Sequence, residues 1–301
     1  MPDTLSYAPP VISIDVEDWP QSSWDRDLPI TERAADNTRR LLELLARNRV
    51  QSTMFVLGKL AERFPDLVRE IDAAGHEVAS HGYAHVEIFK QTRAEFAADV
   101  HKSKDLLEQI VGKSVRGYRA PDFSIIRGSL WALEELAEQG FEYDSSIFPV
   151  RRPRYGIPNW PLSPTRVQLP LGRSILEFPI ASYRAWGKNW PVGGGGYHRL
   201  LPGAAGRWFA RRVMQLRPFV FYCHPYEFDP REFAEITLKI PLKVRLHQGL
   251  GRGRFTSRFV NLIRQFGGCR MLDLLDRKAW PDFQLSTLAA SAAAEEATVG
   301  E

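Results

Sequence analysis

Short apolar runs alternate with longer amphipathic stretches through the first 145 residues, and this alternation constrains the fold more than any other feature. The segments VISID (11–15), STMFVLG (52–58) and HEVAS (76–80) read as strands, and 115–121 as a further one. Between them, 32–48, 59–75, 92–112 and 127–140 place apolar residues at helical spacing. Pro65 interrupts the second helical stretch, and Gly75 and Gly112 stop the second and third. Strands that each hand on to a helix lie parallel, with right-handed crossovers. The expectation is an α/β chain, either a barrel or a doubly wound sheet. No glycine-rich phosphate loop follows the first strand, which counts against a dinucleotide site.

After residue 145 the pattern loosens. Residues 149–197 are rich in Pro, Gly, Trp and Tyr and end in GGGG (193–196), with 175–180 the only clear strand. That stretch is too aromatic for a linker and reads as a substrate-facing excursion. A helix near 203–217, a strand at 219–223 and a helix at 257–267 follow. Residues 285–301 are low in complexity and read as disordered. There is no internal repeat.

Composition excludes two classes. With 44% hydrophobic and 25% charged residues, the chain is neither disordered nor membrane-embedded, and no apolar run reaches the length of a spanning helix. Its start lacks a basic segment followed by an apolar one, so no secretory leader is read there. Two cysteines, Cys223 and Cys269, make no disulfide framework, which points to a reducing, cytoplasmic setting. The net charge of +4 is uneven: residues 1–198 hold 24 basic and 26 acidic side chains, whereas 199–278 hold 16 and 6. No nucleic-acid recognition motif accompanies the basic stretch, so a nucleic-acid partner is not expected. Peripheral contact with an anionic membrane face or an anionic glycan is what such a surface offers.

Four motifs fall at the ends of four expected strands. Asp15-Val16-Glu17-Asp18 crowds three carboxylates that repel one another unless a cation is shared. His81-Gly82-Tyr83-Ala84-His85 spaces two histidines as on one helical turn, able to grip one metal ion. Arg119-Ala120-Pro121-Asp122-Phe123 supplies an arginine whose carboxylate partner could be Asp15, and Cys223-His224-Pro225-Tyr226-Glu227 a histidine at a strand end. Each alone has a plain alternative: an acidic turn, a chance pair, a surface arginine, a structural histidine. His76 and His101 have no such partner and read as structural or solvent-facing. Strand ends converge on one face of a barrel. Two histidines and a carboxylate suit Zn²⁺, or less selectively Co²⁺, Ni²⁺ or Fe²⁺, while a second carboxylate and a third histidine remain as base and acid. That inventory describes metal-assisted hydrolysis of an amide or ester.

With Tyr143-Asp144-Ser145-Ser146 added, these motifs stand in the order shown by the polysaccharide deacetylases, carbohydrate esterases with the nodulation-factor deacetylase homology domain, and the chain resembles that family from about residue 11 to 225. It looks closest to the branch of exopolysaccharide biosynthesis clusters, with its Asp-Val-Glu-Asp-Trp start and a C-terminal extension. The resemblance implies a distorted (β/α)7 TIM-like barrel over 1–235, with the excursion at 149–197 as an insertion, a basic extension over 236–284 packed on it, and the tail 285–301. It implies Asp15 as general base, His224 as general acid and Arg119 as the group that orients Asp15. His81 and His85 would be metal ligands. The third is Glu17 or Asp18: ligand type favours Asp18, whereas Asp-x-Asp spacing favours Glu17. The backbone near Asp122 and Phe123 would help bind the oxyanion, with the Asp122 carboxylate turned away or on a sugar hydroxyl, and Asp144 would support nearby geometry. The rings of Tyr155, Trp160, Tyr183, Trp186, Trp190 and Tyr197 could stack on sugars. The implied activity is N-deacetylation of an N-acetylated amino sugar in a polysaccharide or its lipid-linked precursor. The same layout supports deformylation of a lipid-linked aminosugar, amidase action on a small molecule, or a non-catalytic glycan-binding barrel. A cytoplasmic location, with contact at the inner membrane face, follows from this reading.

Overall fold

The structure, a computed structural model, describes residues 8–275 and 280–288. Seven parallel strands form the frame: β1 (Val11–Val16), β2 (Thr53–Val56), β3 (Glu77–Ser80), β4 (Gly117–Tyr118), β5 (Tyr143–Asp144), β7 (Ser174–Glu177) and β10 (Val220–Cys223). They follow one another in the order β10-β1-β2-β3-β4-β5-β7, every neighbouring pair parallel. Irregular backbone closes the ring: Ala181 N–H donates to Val220 O (3.1 Å) and Tyr222 N–H to Gly193 O (2.8 Å). The result is the distorted α/β barrel that the strand–helix alternation implies.

The helices α1 (Glu32–Arg47), α2 (Gly58–Arg63), α3 (Pro65–Ala73), α4 (Arg93–Val111) and α5 (Trp131–Glu138) are the crossovers. The helix break falls at Pro65, which opens α3, and Gly112 caps α4 in the left-handed conformation (φ 68°). Strand alternation sorts the core. Ile12, Ile14, Met54, Val56, Val78 and Ile175 point outward onto helix residues such as Leu41, Leu45, Val68 and Leu107. Val11, Phe55, Ala79, Tyr143, Leu176 and Val220 point inward and pack on one another.

The excursion holds more regular structure than its composition predicts. β6 (Thr165–Gln168) pairs antiparallel with β7, and β8 (Ser182–Ala185) with β9 (Lys188–Pro191) forms a separate hairpin. The glycine run lies across β10 at the start of α6 (Gly195–His198). A Cβ on Gly195 would collide with the Glu227 carboxylate and Cys223, so only glycine lets this segment approach. Next come α7 (Gly203–Met214), α8 (Glu232–Glu235), α9 (Leu242–Gly249) and α10 (Arg252–Phe266). α10 buries Phe255, Phe259, Leu262 and Ile263, with Phe259 against Phe221 of β10.

Residues 269–275, including α11 (Leu272–Leu275), plug the N-terminal mouth of the barrel. Cys269 bridges to Val11, Met271 N–H donates to Thr53 Oγ1 (2.8 Å), and Leu272 N–H to the buried Glu77 carboxylate (3.0 Å). β11 (Asp282–Gln284) then pairs with β6. Residues 285–288, expected to be disordered, form a short helical turn that buries Leu288, and the rest of that expected tail lies outside the described residues. His76 is indeed structural: its Nδ1 accepts the Ser52 N–H (3.1 Å), and burial, with Arg270 nearby, holds it down to about 4.

Candidate active site

The C-terminal strand ends converge on a cavity of about 400 Å³ that contains Asp15, Glu17, His81, His85 and His224. β1 presents alternate residues to the barrel interior, so Asp15 and Glu17 share the inner side and Asp18 takes the other. Asp18 accordingly turns toward α1: its carboxylate accepts the backbone N–H (2.6 Å) and hydroxyl (3.1 Å) of Thr31, the N-cap of that helix. Burial pushes Asp18 up to about 6 against those hydrogen bonds. Asp18 is thus absent from the metal-ready cluster, contrary to the preference based on ligand type, and Glu17 stands there instead.

Glu17 Oε2 lies 2.7 Å from His85 Nε2 and 3.3 Å from His81 Nε2, and all three side chains are buried. The oxygen makes no directed hydrogen bond despite these distances, as lone pairs aimed at a common point would leave it. Its partner Oε1 is held by Ser22 Oγ (3.0 Å) and Tyr226 Oη (3.4 Å). His81 Nδ1 donates to the Arg119 carbonyl (2.9 Å), which leaves the Nε2 lone pair facing the cluster. One donor atom from each of the three residues lies within 4.8 Å of the others. Two imidazoles and a carboxylate, buried and oriented by outer hydrogen bonds, fit a divalent cation with an open coordination position. Burial opposes charge on Glu17, but His85 and His81 hold its carboxyl well below the ordinary range, and Glu17 in turn raises His85 against burial.

The histidine loop is not the helical turn its spacing suggests. Residues 81–87 are irregular, with left-handed Gly82 (φ 73°) and His85 (φ 60°). Asp99 of α4 pins the loop by accepting from Tyr83 N–H (2.8 Å) and Ala84 N–H (3.0 Å). Gly58 N–H donates to Gly82 O (2.8 Å), and a Cβ on Gly58 would sit 2.8 Å from the Tyr83 backbone.

Arg119 is fully buried and donates from Nη1 to Asp15 Oδ1 (2.7 Å). Its Nε reaches Ser145 O (3.0 Å) and its Nη2 Ser145 Oγ (2.9 Å). Asp144 lies beneath, outside the cavity lining. It accepts from Ser146, whose Oγ takes the Ala120 N–H (2.8 Å). Asp144 therefore positions the segments around Arg119 and does not contact substrate space. Asp122 and Phe123, both left-handed, wall the cavity. The Asp122 carboxylate is turned onto Arg154 (3.0 Å), while the Phe123 ring packs against Tyr222 and Phe148.

His224 enters from β10. Its Nε2 stands 3.9 Å from Asp15 Oδ2 and 3.6 Å from Glu17 Oε1, while Nδ1 and its own backbone N–H both face Glu227 Oε2 (3.2 and 3.1 Å). Burial disfavours its charge, but Glu227, Glu17 and Asp15 outweigh that and push it up to about 9. Glu227 is in turn paired with Arg199 (3.3 Å), and the Tyr226 ring stacks on His224 at 4.6 Å. Tyr226 and Glu227 belong to the Cys223–Glu227 motif, in which sequence assigns a role to His224 alone, and Arg199 and Ser22 carry no sequence signal. Glu227 alone had a signal, as an acidic residue three positions after His224. Of the six aromatics of the excursion, Tyr155 and Tyr197 line the cavity. Trp160 packs on Phe283, Tyr183 on Trp208 and Phe209, and Trp186 and Trp190 stand on the exposed hairpin.

A parallel α/β barrel that gathers this donor cluster, a buried carboxylate and a histidine at its C-terminal rim holds the groups that metal-assisted hydrolysis of an amide or ester requires. Comparison with known proteins agrees. Residues 9–141 match the polysaccharide deacetylase family, and 145–276 match a domain of unknown function (DUF3473). The first of these matches spans a little under half of the chain. It is 31% identical over 99 residues to a peptidoglycan-N-acetylglucosamine deacetylase of Bacillus cereus (33% of this chain, 36% of that protein). Over 110 residues it is 36% identical to a peptidoglycan deacetylase of Helicobacter pylori (36% of each). The chain thus spans about a third of the length of these relatives. Among solved structures, a putative polysaccharide deacetylase from Mycobacterium smegmatis superposes with a TM-score of 0.61 at 19% identity, covering 92% of this chain and 91% of that one. Puue allantoinase does so with a TM-score of 0.58 at 15% identity, covering 88% of each. At these identities the structural likeness concerns the fold.

Proposed function

We propose that the chain is a metal-dependent N-deacetylase acting on N-acetylated amino sugars of a polysaccharide, here an exopolysaccharide, or of its lipid-linked precursor. The carrying observation is the convergence, in one cavity, of the Glu17–His81–His85 donors with the Arg119-held Asp15 and the Glu227-held His224. Relatives named as peptidoglycan and chitooligosaccharide deacetylases support the substrate class. When bound at these three donors, Zn²⁺, or Co²⁺ or Ni²⁺ in its place, supplies Lewis acidity toward the amide carbonyl and the attacking water.

The protein's own groups complete the reaction. Asp15, held in place by Arg119, accepts the proton of the water as it attacks the acetyl carbon. The Asp122 backbone N–H is the amide offered to the developing oxyanion, that of Phe123 being donated to Ala120 O (3.2 Å). His224, protonated and oriented by Glu227, gives its proton to the amine as the C–N bond breaks, leaving acetate and a free amino sugar. Tyr155 and Tyr197 give the sugar ring apolar walls.

Acetate release from chitooligosaccharides, peptidoglycan fragments and bacterial exopolysaccharides, measured with each metal, tests the reading. Turnover of formylated aminosugars or cyclic ureides without acetate release from any glycan would assign the site to another amide. His224→Ala is expected to lower kcat about 10²- to 10³-fold, the range of a positioned acid, with a small change in KM. Glu227→Gln removes the main support for the His224 proton. The alkaline limb of kcat should therefore move to lower pH, because the required acid deprotonates earlier. An unmoved limb in Glu227→Gln counts against His224 as the acid.

A further inference from the structure

α9 stands at the cavity rim with its apolar side facing out. Leu242, Leu246 and Leu250 recur every fourth residue and are 69%, 62% and 63% exposed. On its other side, Val244 packs toward Phe233 and Ile240, Gln248 faces the cavity, and Arg199 and Arg252 both donate to Gln248 O. The helix is thus anchored and leaves a row of leucines without a protein partner among the described residues. Leu200, also exposed, stands in the cavity wall.

Charge identifies what covers the row. From residue 236 to 258 there is no Asp or Glu, while Lys239, Lys243, Arg245, Arg252, Arg254 and Arg258 are cationic. Arg252 and Arg258 are engaged inside the protein, whereas Lys239 and Lys243 flank the leucines at the surface. Exposed leucines on and just after one short helix, with lysines at and just before its start, match an anionic bilayer: apolar side chains enter the acyl boundary and cations meet the headgroups. A polar glycan complements the lysines but not the leucines. No helix among the described residues is long and apolar enough to cross a membrane.

We propose that the α9 face docks on an anionic phospholipid surface and sets the cavity mouth against the headgroup layer. Its consequence for substrate choice, that lipid-linked amino sugars are favoured over free ones, rests on the deacetylase reading, whereas the docking does not. The test is co-sedimentation of the full chain with vesicles of phosphatidylcholine containing 30% phosphatidylglycerol, against phosphatidylcholine alone. Binding is expected to the anionic vesicles, at least about tenfold weaker to the neutral ones, and weakened as salt is raised. The triple variant Leu242→Gln, Leu246→Gln, Leu250→Gln should lose binding at least about tenfold while matching wild-type acetate release from a soluble chitooligosaccharide. Lys239→Gln with Lys243→Gln should lower binding to anionic vesicles alone. Wild type that leaves both vesicles unbound overturns the proposal, as does a folded triple variant that binds unchanged. A dimer in light scattering that the triple variant dissolves assigns the face to a second copy of the chain and overturns it equally. Vesicle binding without amide hydrolysis on any substrate leaves the docking standing and removes the deacetylase reading.

Discussion

Glu17→Ala is expected to strip the site of metal and cut kcat/KM by about 10³-fold or more, whereas Asp18→Asn keeps both within a fewfold of wild type. Glu17 Oε2 is the carboxylate oxygen beside His81 and His85, and loss of a third donor weakens binding more than the 10- to 100-fold typical of outer-shell changes. Lewis-acid stabilisation worth several kcal/mol then goes with it, and about 4 kcal/mol corresponds to the 10³-fold stated. Asp18 serves α1 instead, by accepting from the backbone and hydroxyl of its N-cap Thr31. Asn retains an acceptor there, so Asp18→Asn should register as a loss of about 1 kcal/mol in thermal stability. Metal content after dialysis, read beside acetate release and Tm, separates the two residues. A metal-depleted Asp18→Asn beside a fully loaded Glu17→Ala would reverse the assignment.

The Asp-x-Asp spacing is what made Glu17 legible, and ligand type is what obscured it. Asp15 and Glu17 are two residues apart at a strand end, so they share a side, while Asp18 must take the other. The histidine pair was legible as a pair, but for a reason the structure replaces. No helical turn aligns His81 and His85; a left-handed loop pinned by Asp99 and wedged against Gly58 does so. That loop depends on contacts from α2 and α4, which no local pattern encodes.

The same distinction runs through the rest of the chain. β1, β2 and α1 to α5 follow from hydrophobic period and glycine or proline stops, because each is locally self-consistent. β6, β8 and β9 were hidden because two of them form an outlying hairpin with little buried apolar surface, and their alternation is weak. The roles of Glu227 and Arg199 depend on a meeting between the end of β10 and α6, far apart in sequence. Asp144 was legible as part of a motif, yet its motif positions Arg119 through Ser145 and Ser146 instead of facing the cavity. Tyr155 and Tyr197 differ from the other four aromatics of the excursion only in where the chain carries them.

Asp15→Asn should lower kcat about 10³-fold, within the range for a lost general base, while the protein keeps its metal. Glu17, His81 and His85 are untouched by the change, so the two effects separate cleanly from those of Glu17→Ala. Arg119 is fixed independently of Asp15. Its guanidinium stacks over Phe55 at 4.1 Å and spends its remaining donors on Ser145, so it cannot follow Asp15 if the carboxylate is removed. Outright removal of one member of a buried pair costs about 3–5 kcal/mol, and Asn, which retains an acceptor oxygen, should cost less than Ala at this position. Arg119→Lys keeps the charge and loses the fork that grips Asp15 and Ser145 together. If Arg119 works by orientation, Arg119→Lys loses kcat as well as stability; if charge alone matters, its kcat stays near wild type. Wild-type turnover in a folded, metal-loaded Asp15→Asn protein would remove Asp15 from the chemistry and leave the Asp15–Arg119 pair as a structural clamp between β1 and β4.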